Sequence, residues 1–133
     1  MNYPEEIRAK IRAGAFKKPT AGEAPGYVQA NLVILRKKHA FDFLLFCQRN
    51  PKPCPTLEVL EPGQPLTRIV ANHSDVRTDI PLYRVYREGI LSETTDSILS
   101  FWEDDFVTFL LGCSFSFEEA LLKNDIPIRH IEE

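Results

Sequence analysis

The residues best suited to chemistry lie together near the C-terminal end of the chain, in Gly112-Cys113-Ser114-Phe115-Ser116. This stretch supplies one thiol and two hydroxyls directly ahead of Phe117-Glu118-Glu119. Ser116 followed three residues later by Glu119 is a capping box, in which the serine accepts from a first-turn backbone N–H and the glutamate reaches back. A helix is therefore expected to begin at Ser116 and run to Asn124. Free N–H groups and the positive dipole end at a helix N-terminus favour an anion. The segment is thus a candidate to bind a carboxylate through Ser114 and Ser116, or to stabilise the thiolate of Cys113. The same pattern also suits a small buried cysteine beside an ordinary cap.

A second group is Cys47-Gln48-Arg49-Asn50, at the end of an expected helix and ahead of a loop that holds Cys54 between prolines. A rigid polar helix end suits ligand binding by Arg49 and Asn50, and it equally suits a plain C-terminal cap. The six residues between Cys47 and Cys54 are not a zinc-knuckle spacing and no histidine follows at a finger interval, so no metal site is expected. A third group, Arg77, Asp79, Tyr83, Arg84 and Arg87, clusters around a hairpin entrance. Guanidinium forks match carboxylates two bonds at a time, although arginines on a hairpin are also common as a solvated face. On the last expected strand His130 and Glu132 share a face and form a possible acid/base pair or a structural one.

The elements that must position these groups are legible in outline. Tyr3 to Ala13 reads as a helix: Pro4 suits the first turn, Glu5 and Glu6 favour the dipole, Ile7 and Ile11 share a face, and Gly14 stops it. Residues 14 to 26 hold Gly14, Pro19, Gly22, Pro25 and Gly26 and read as a loop. Val28 to Leu35 is apolar without a clear period, a pattern that does not separate a buried strand from a buried helix, and the strand is the favoured reading. His39 to Asn50 reads as a helix, with Ala40, Phe43, Leu44 and Cys47 on one face and Asn50-Pro51 as its stop. Leu57 to Leu60 reads as a short strand, and residues 61 to 81 as a long connection with one short element around Thr67 to Ala71. Leu82 to Tyr86 and Ile90 to Glu93 form a hairpin about Glu88-Gly89. A short helix is expected at Leu99 to Trp102, a buried strand or helix at Phe106 to Cys113, and a strand at Ile126 to Ile131.

Composition excludes several classes. Sixteen Lys and Arg against nineteen Asp and Glu give a net charge of -3, without the basic footprint that displaces phosphate counterions, so no nucleic-acid partner is expected. The longest apolar run, Phe43 to Cys47, is far below the roughly 20 residues that span a bilayer, so no membrane association is expected. The acidic Glu5 and Glu6 do not fit a secretory or transit leader, and a cytoplasmic location follows as the expectation. Three cysteines cannot all pair internally, and reduced thiols are expected. There is no GxGxxG, Walker A or GxSxG sequence, which speaks against nucleotide and α/β-hydrolase chemistry. The length suits a single domain over residues 1–133, in a mixed α/β class with layered helices and a mixed sheet.

Read together, PTAGEAPGYVQANLVIL, AFDFLLFCQRNPKPCPTLEV, DVRTDIPLYRVYREG and DDFVTFLLGCSFSFEEALL, followed by IPIRHIEE, closely resemble the D-glutamate cyclase family of hydro-lyases. The resemblance covers nearly the whole chain from Ile7, and matches the N-terminal half of a family domain about twice as long. It implies a cofactor-free hydro-lyase interconverting D-glutamate with 5-oxo-D-proline and water. Such chemistry needs a cradle for the α-carboxylate, for which Arg49, Arg77, Arg84, Asn50 and the Ser114 to Ser116 turn are candidates. It also needs proton carriers, for which Asp79, His130 and Cys113 are candidates, with Cys113 a nucleophile as an alternative. The expected partners are a small carboxylate substrate and a second copy in a homo-oligomer. Two other readings of the same residues are a non-catalytic module that binds a carboxylated metabolite, and a truncated, inactive family member.

Overall fold

The computed structural model describes residues 3–17, 30–71 and 73–112. The first helix, α1 (Tyr3–Arg12), carries Glu5 and Glu6 in its first turn and Lys10 and Arg12 in its last, as the helix dipole favours. Gly14 adopts a left-handed φ of 76° and closes the helix, its N–H donating to the Ile11 carbonyl at 3.0 Å.

Strand β1 (Ala30–Arg36) passes directly into α2 (Lys37–Arg49). A short strand β2 (Thr56–Val59) follows, then the hairpin β3 (Tyr83–Arg87) and β4 (Ile90–Thr95), a single 3-10 turn (Leu99–Phe101) and strand β5 (Phe106–Gly112). Among the described residues the apolar runs read as strands at 30–35 and 57–59 are strands, and the run at 106–112, readable as either type, is one too.

β5 is the centre of a three-stranded antiparallel sheet in the order β1-β5-β2, and β3-β4 form a separate antiparallel pair. The mixed α/β class therefore holds, while every strand pair among the described residues is antiparallel where a mixed sheet was expected. The reason is chain direction: β5 enters beside the start of α2, the Lys37 N–H donating to the Asp105 carbonyl at 2.8 Å, and so runs back against β1.

Alternation along β5 divides two packing layers. Val107, Phe109 and Leu111 join Cys47 in one cluster, against which Val33, Leu35, Ala40, Phe43 and Cys54 pack. The Phe43 ring meets Phe109 edge-on, with centroids 4.9 Å apart. On the opposite face Thr108 and Leu110 are also buried, so β5 is covered on both sides, as in the centre of a packed sheet.

The connection at 61–81 contains no regular element at Thr67 to Ala71. The backbone N–H groups of Arg68, Ile69 and Val70 donate instead to the carboxylate of buried Glu58, at 2.8, 3.1 and 3.0 Å. A side-chain acceptor thus satisfies donors that a helix or ladder would otherwise need. The bridge between Leu66 and Asp75, with Thr67 N–H donating to the Ser74 carbonyl at 2.9 Å, folds the rest of the connection back on itself. Among the described residues no helix is long and apolar enough to cross a membrane.

Candidate functional site

An open cleft of about 1670 Å³ lies between α1, strand β1, the β3-β4 hairpin and the segment 98–106. Ile7 and Ile11 of α1, Leu32 and Ile34 of β1, Val85 and Phe101 supply apolar lining. Cationic side chains ring it: Arg8, Lys17, Arg36, Lys38, Arg84 and Arg87, set against Asp79, Glu88 and Glu103. An apolar cavity with a few polar groups on its wall is the usual form of a small-molecule site.

The cations differ in what they already hold. Arg36 pairs with Glu103 and, at 2.9 Å, with Asp105, and lies over the Phe106 ring. Its pKa is raised, first by the hydrogen bond to Glu103. Arg87 donates to Ser92 Oγ at 2.5 Å and sits 3.8 Å from Glu93. Lys17 is 3.9 Å from Asp96. Arg8, Lys38 and Arg84 have no ion pair among the described residues, so their charge is the part of the wall open to an anion.

Asp79 also lines the cleft but is only 4% exposed. Arg12 Nη1 donates to both of its carboxylate oxygens at 2.8 Å. Ser74 Oγ at 2.8 Å and the Asp75 N–H at 3.0 Å add to Oδ2, and Thr78 Oγ1 at 3.1 Å adds to Oδ1. Each oxygen therefore accepts at least two hydrogen bonds. This arrangement ties the end of α1 to the turn at 74–79.

Arg77, beside it, closes a fork on Asp75: Nε donates to Oδ1 at 3.0 Å and Nη2 to Oδ2 at 2.8 Å, while its own N–H donates to Oδ1 at 2.9 Å. Partial burial pushes the Asp75 carboxyl up, but the Arg77 hydrogen bonds and the charges of Arg77 and Arg12 outweigh it and leave the group below its usual range. The Arg77 guanidinium is raised in turn by Asp75 and lies 6.0 Å from the Trp102 ring centroid. Tyr83 donates its hydroxyl to the Val76 carbonyl at 2.6 Å, and burial pushes its pKa up. The phenol stays protonated and acts as a brace.

The helix-end group lies elsewhere. Asn50 caps α2 with its own side chain, Nδ2 donating to the Phe46 carbonyl at 2.8 Å, and neither Arg49 nor Asn50 lines the cleft. Of the residues singled out in the sequence, the structure brings Asp79, Tyr83, Arg84 and Arg87 to the cleft, with Arg77 next to Asp79, and keeps Arg49 and Asn50 apart from them. Cys113, Ser114, Ser116 and His130 lie outside the described residues, as do most of the loop expected at 14–26, the helix from Ser116 and the strand at 126–131.

Sequence reasoning passed over Glu58 and Arg12, whose carboxylate and guanidinium organise the two ends of the long connection. The signal for Glu58 was a lone acid inside the apolar run Leu57-Glu58-Val59-Leu60. Arg12 gave none, since a basic residue in the last turn of a helix is commonplace. No group of three or more His, Cys, Asp or Glu that could hold a metal occurs among the described residues.

Comparison with known proteins adds what the cleft cannot. Residues 107–133 match the family described as D-glutamate cyclase. A Bacillus subtilis (strain 168) protein named "Putative hydro-lyase YcsI" is 59% identical over 130 residues, which is 98% of this chain and 51% of the relative. A Stutzerimonas stutzeri (strain A1501) protein of the same general name is 58% identical across 98% of this chain and 49% of its own length. One from Thermoanaerobacter sp. (strain X514) is 59% identical with the same coverage. The chain spans about half the length of the curated relatives it matches.

Proposed function

This chain belongs to the D-glutamate cyclase family, matching the N-terminal half of its relatives, and from that premise we propose that it serves a hydro-lyase acting on a small carboxylated amino acid. The reaction is the reversible closure of D-glutamate to 5-oxo-D-proline with loss of water. The observation that carries this reading is the 59% identity to a hydro-lyase-named relative over nearly the whole chain. The cation-ringed cleft supports it.

Closure requires the neutral α-amine to attack the side-chain carboxyl carbon, a donor facing the tetrahedral oxyanion, and a proton for the departing hydroxide. The α-carboxylate takes no part in bond making and needs a fixed cation. Arg84 has the charge and the free fork for it, with Lys38 as a second positive group on the same cleft. In this reading Cys113 and His130 are the proton carriers, and Ser114 and Ser116 supply donors. The enzyme works in the cytoplasm, without cofactor, membrane or nucleic acid, as a homo-oligomer.

A second reading, a non-catalytic binder of a carboxylated metabolite, is favoured by one observation. Asp79, the one candidate proton carrier among the described residues, has both oxygens taken by hydrogen bonds. The test is to incubate this protein and its twice-longer Bacillus subtilis relative separately with D-glutamate and with 5-oxo-D-proline, and to separate the products on a chiral column. Interconversion by both supports the enzyme. Turnover by the relative alone, with a ligand-induced rise in the melting temperature of this chain, supports the binder. No turnover by either overturns the assigned substrate.

A further inference from the structure

At the end of α2 the structure brings two thiols together that the proposed reaction does not use. Cys47 is 1% exposed and Cys54 is half-buried. Cys54 packs against the cluster formed by Cys47, Val107, Phe109 and Leu111, and the Cys47 thiol is pushed up by burial first and then by the neighbouring Cys54 thiol. The intervening loop is clamped. Asn50 N–H donates to the Cys47 carbonyl at 3.2 Å, Cys54 N–H donates to the Asn50 carbonyl at 3.0 Å, and the Asn50 side chain holds Phe46. Pro51 and Pro53 restrict the backbone between these bonds. The two sulfurs are thus kept in proximity by the backbone, with one of them reachable from solvent.

We propose that Cys47 and Cys54 form a reversible dithiol–disulfide pair that is oxidised by hydroperoxides. The half-buried Cys54 reacts first: its thiolate attacks one peroxide oxygen, the O–O bond breaks, and a sulfenic acid and one water form. Cys47 then attacks the Cys54 sulfur, the S–O bond breaks, and the hydroxide leaves as a second water with the Cys47 proton. The two thiols give up two electrons, and one hydrogen peroxide becomes two waters. Exchange with a reducing dithiol restores the pair. The bond closes the loop that carries Arg49 and Asn50, a site of modification separate from the cleft. This inference stands apart from the hydro-lyase reading, because its readout is covalent and needs no turnover.

The native full chain is treated with a modest excess of hydrogen peroxide, blocked with iodoacetamide and digested with trypsin. Cleavage after Arg49 separates peptide 39–49, which holds Cys47, from peptide 50–68, which holds Cys54. The expected result is a linked pair of these peptides, short of two hydrogen atoms and released by dithiothreitol. Cys47→Ala is expected to leave Cys54 as a sulfenic acid that dimedone traps. Cys54→Ser, altered on the accessible side of the pair, is expected to leave peptide 39–49 as free thiol. Peptides that remain unlinked in the unsubstituted protein, whether through over-oxidation of Cys54, no oxidation, or linkage of either to Cys113, overturn the proposal.

Discussion

The guanidinium of Arg12 reaches both carboxylate oxygens of Asp79 at 2.8 Å, across 67 residues of sequence. One partner is half-exposed and the other buried, with side-chain exposures of 49% and 1%. This contact fastens α1 to the turn at 74–79 and so shapes one wall of the cleft.

Removing the buried partner should cost more than removing the exposed one. Asp79→Ala strands the Ser74 hydroxyl and the Asp75 N–H as well as Arg12, and a loss of about 2–4 kcal/mol is expected. Arg12→Ala leaves Asp79 its other donors, and water reaches the site, so about 1–2 kcal/mol is expected. Urea denaturation of both variants measures the order. A larger loss for Arg12→Ala would show that Asp79 does not depend on its neighbours in the 74–79 turn.

Asp75 makes stability depend on pH. Its folded pKa lies below the unfolded value, so its contribution is present above about pH 4 and is lost as pH falls through the lower folded value. Asp75→Asn is expected to be less stable than the parent at neutral pH, with the gap narrowing on acidification below that point. Melting temperatures across the acidic range test this, and a gap independent of pH would refute the assignment.

At the hairpin turn Glu88 and Gly89 both take left-handed φ values, 53° and 77°, the pattern of a type I′ turn. Glycine tolerates this and glutamate does not favour it. Glu88→Asn is expected to stabilise by a few tenths of a kcal/mol, since asparagine adopts this region more readily, and Gly89→Ala to destabilise by about 1 kcal/mol. Thermal melts of the two variants should move in opposite directions.

Arg84 is the cation expected to hold the substrate carboxylate. In this chain, Arg84→Ala should weaken binding of D-glutamate or 5-oxo-D-proline about 10- to 100-fold, the worth of one charge-assisted interaction. Arg84→Lys should recover part of it. Unchanged affinity would move the carboxylate site away from the cleft.

Much of the local structure was legible because local rules decide it. Gly14 and Asn50-Pro51 stop helices through backbone geometry, Glu88-Gly89 sets a turn, and the apolar residues 32–35 mark a strand that is half-buried, while the run at 106–112, open between strand and helix by its pattern, is the buried strand. The resemblance in those same blocks also held, since 58–59% identity extends over nearly the whole chain. Less could be read of the long connection: a short element expected near Thr67 gave way to Glu58, ten to twelve residues earlier, taking the three N–H groups.

The sequence by itself determined where most of the described helices and strands lie and which family the chain resembles, because periodicity, caps and turn chemistry act over a few residues. Only the tertiary structure decided which charges are taken and which remain available. Arg77, Arg84 and Arg87 look alike in sequence, yet Asp75 occupies the first, Ser92 and Glu93 hold the third, and Arg84 alone of the three has no ion pair among the described residues. A charge's partner is fixed by the packing of distant elements, and so is the meeting of Arg12 with Asp79. No spacing along the chain encodes that distance.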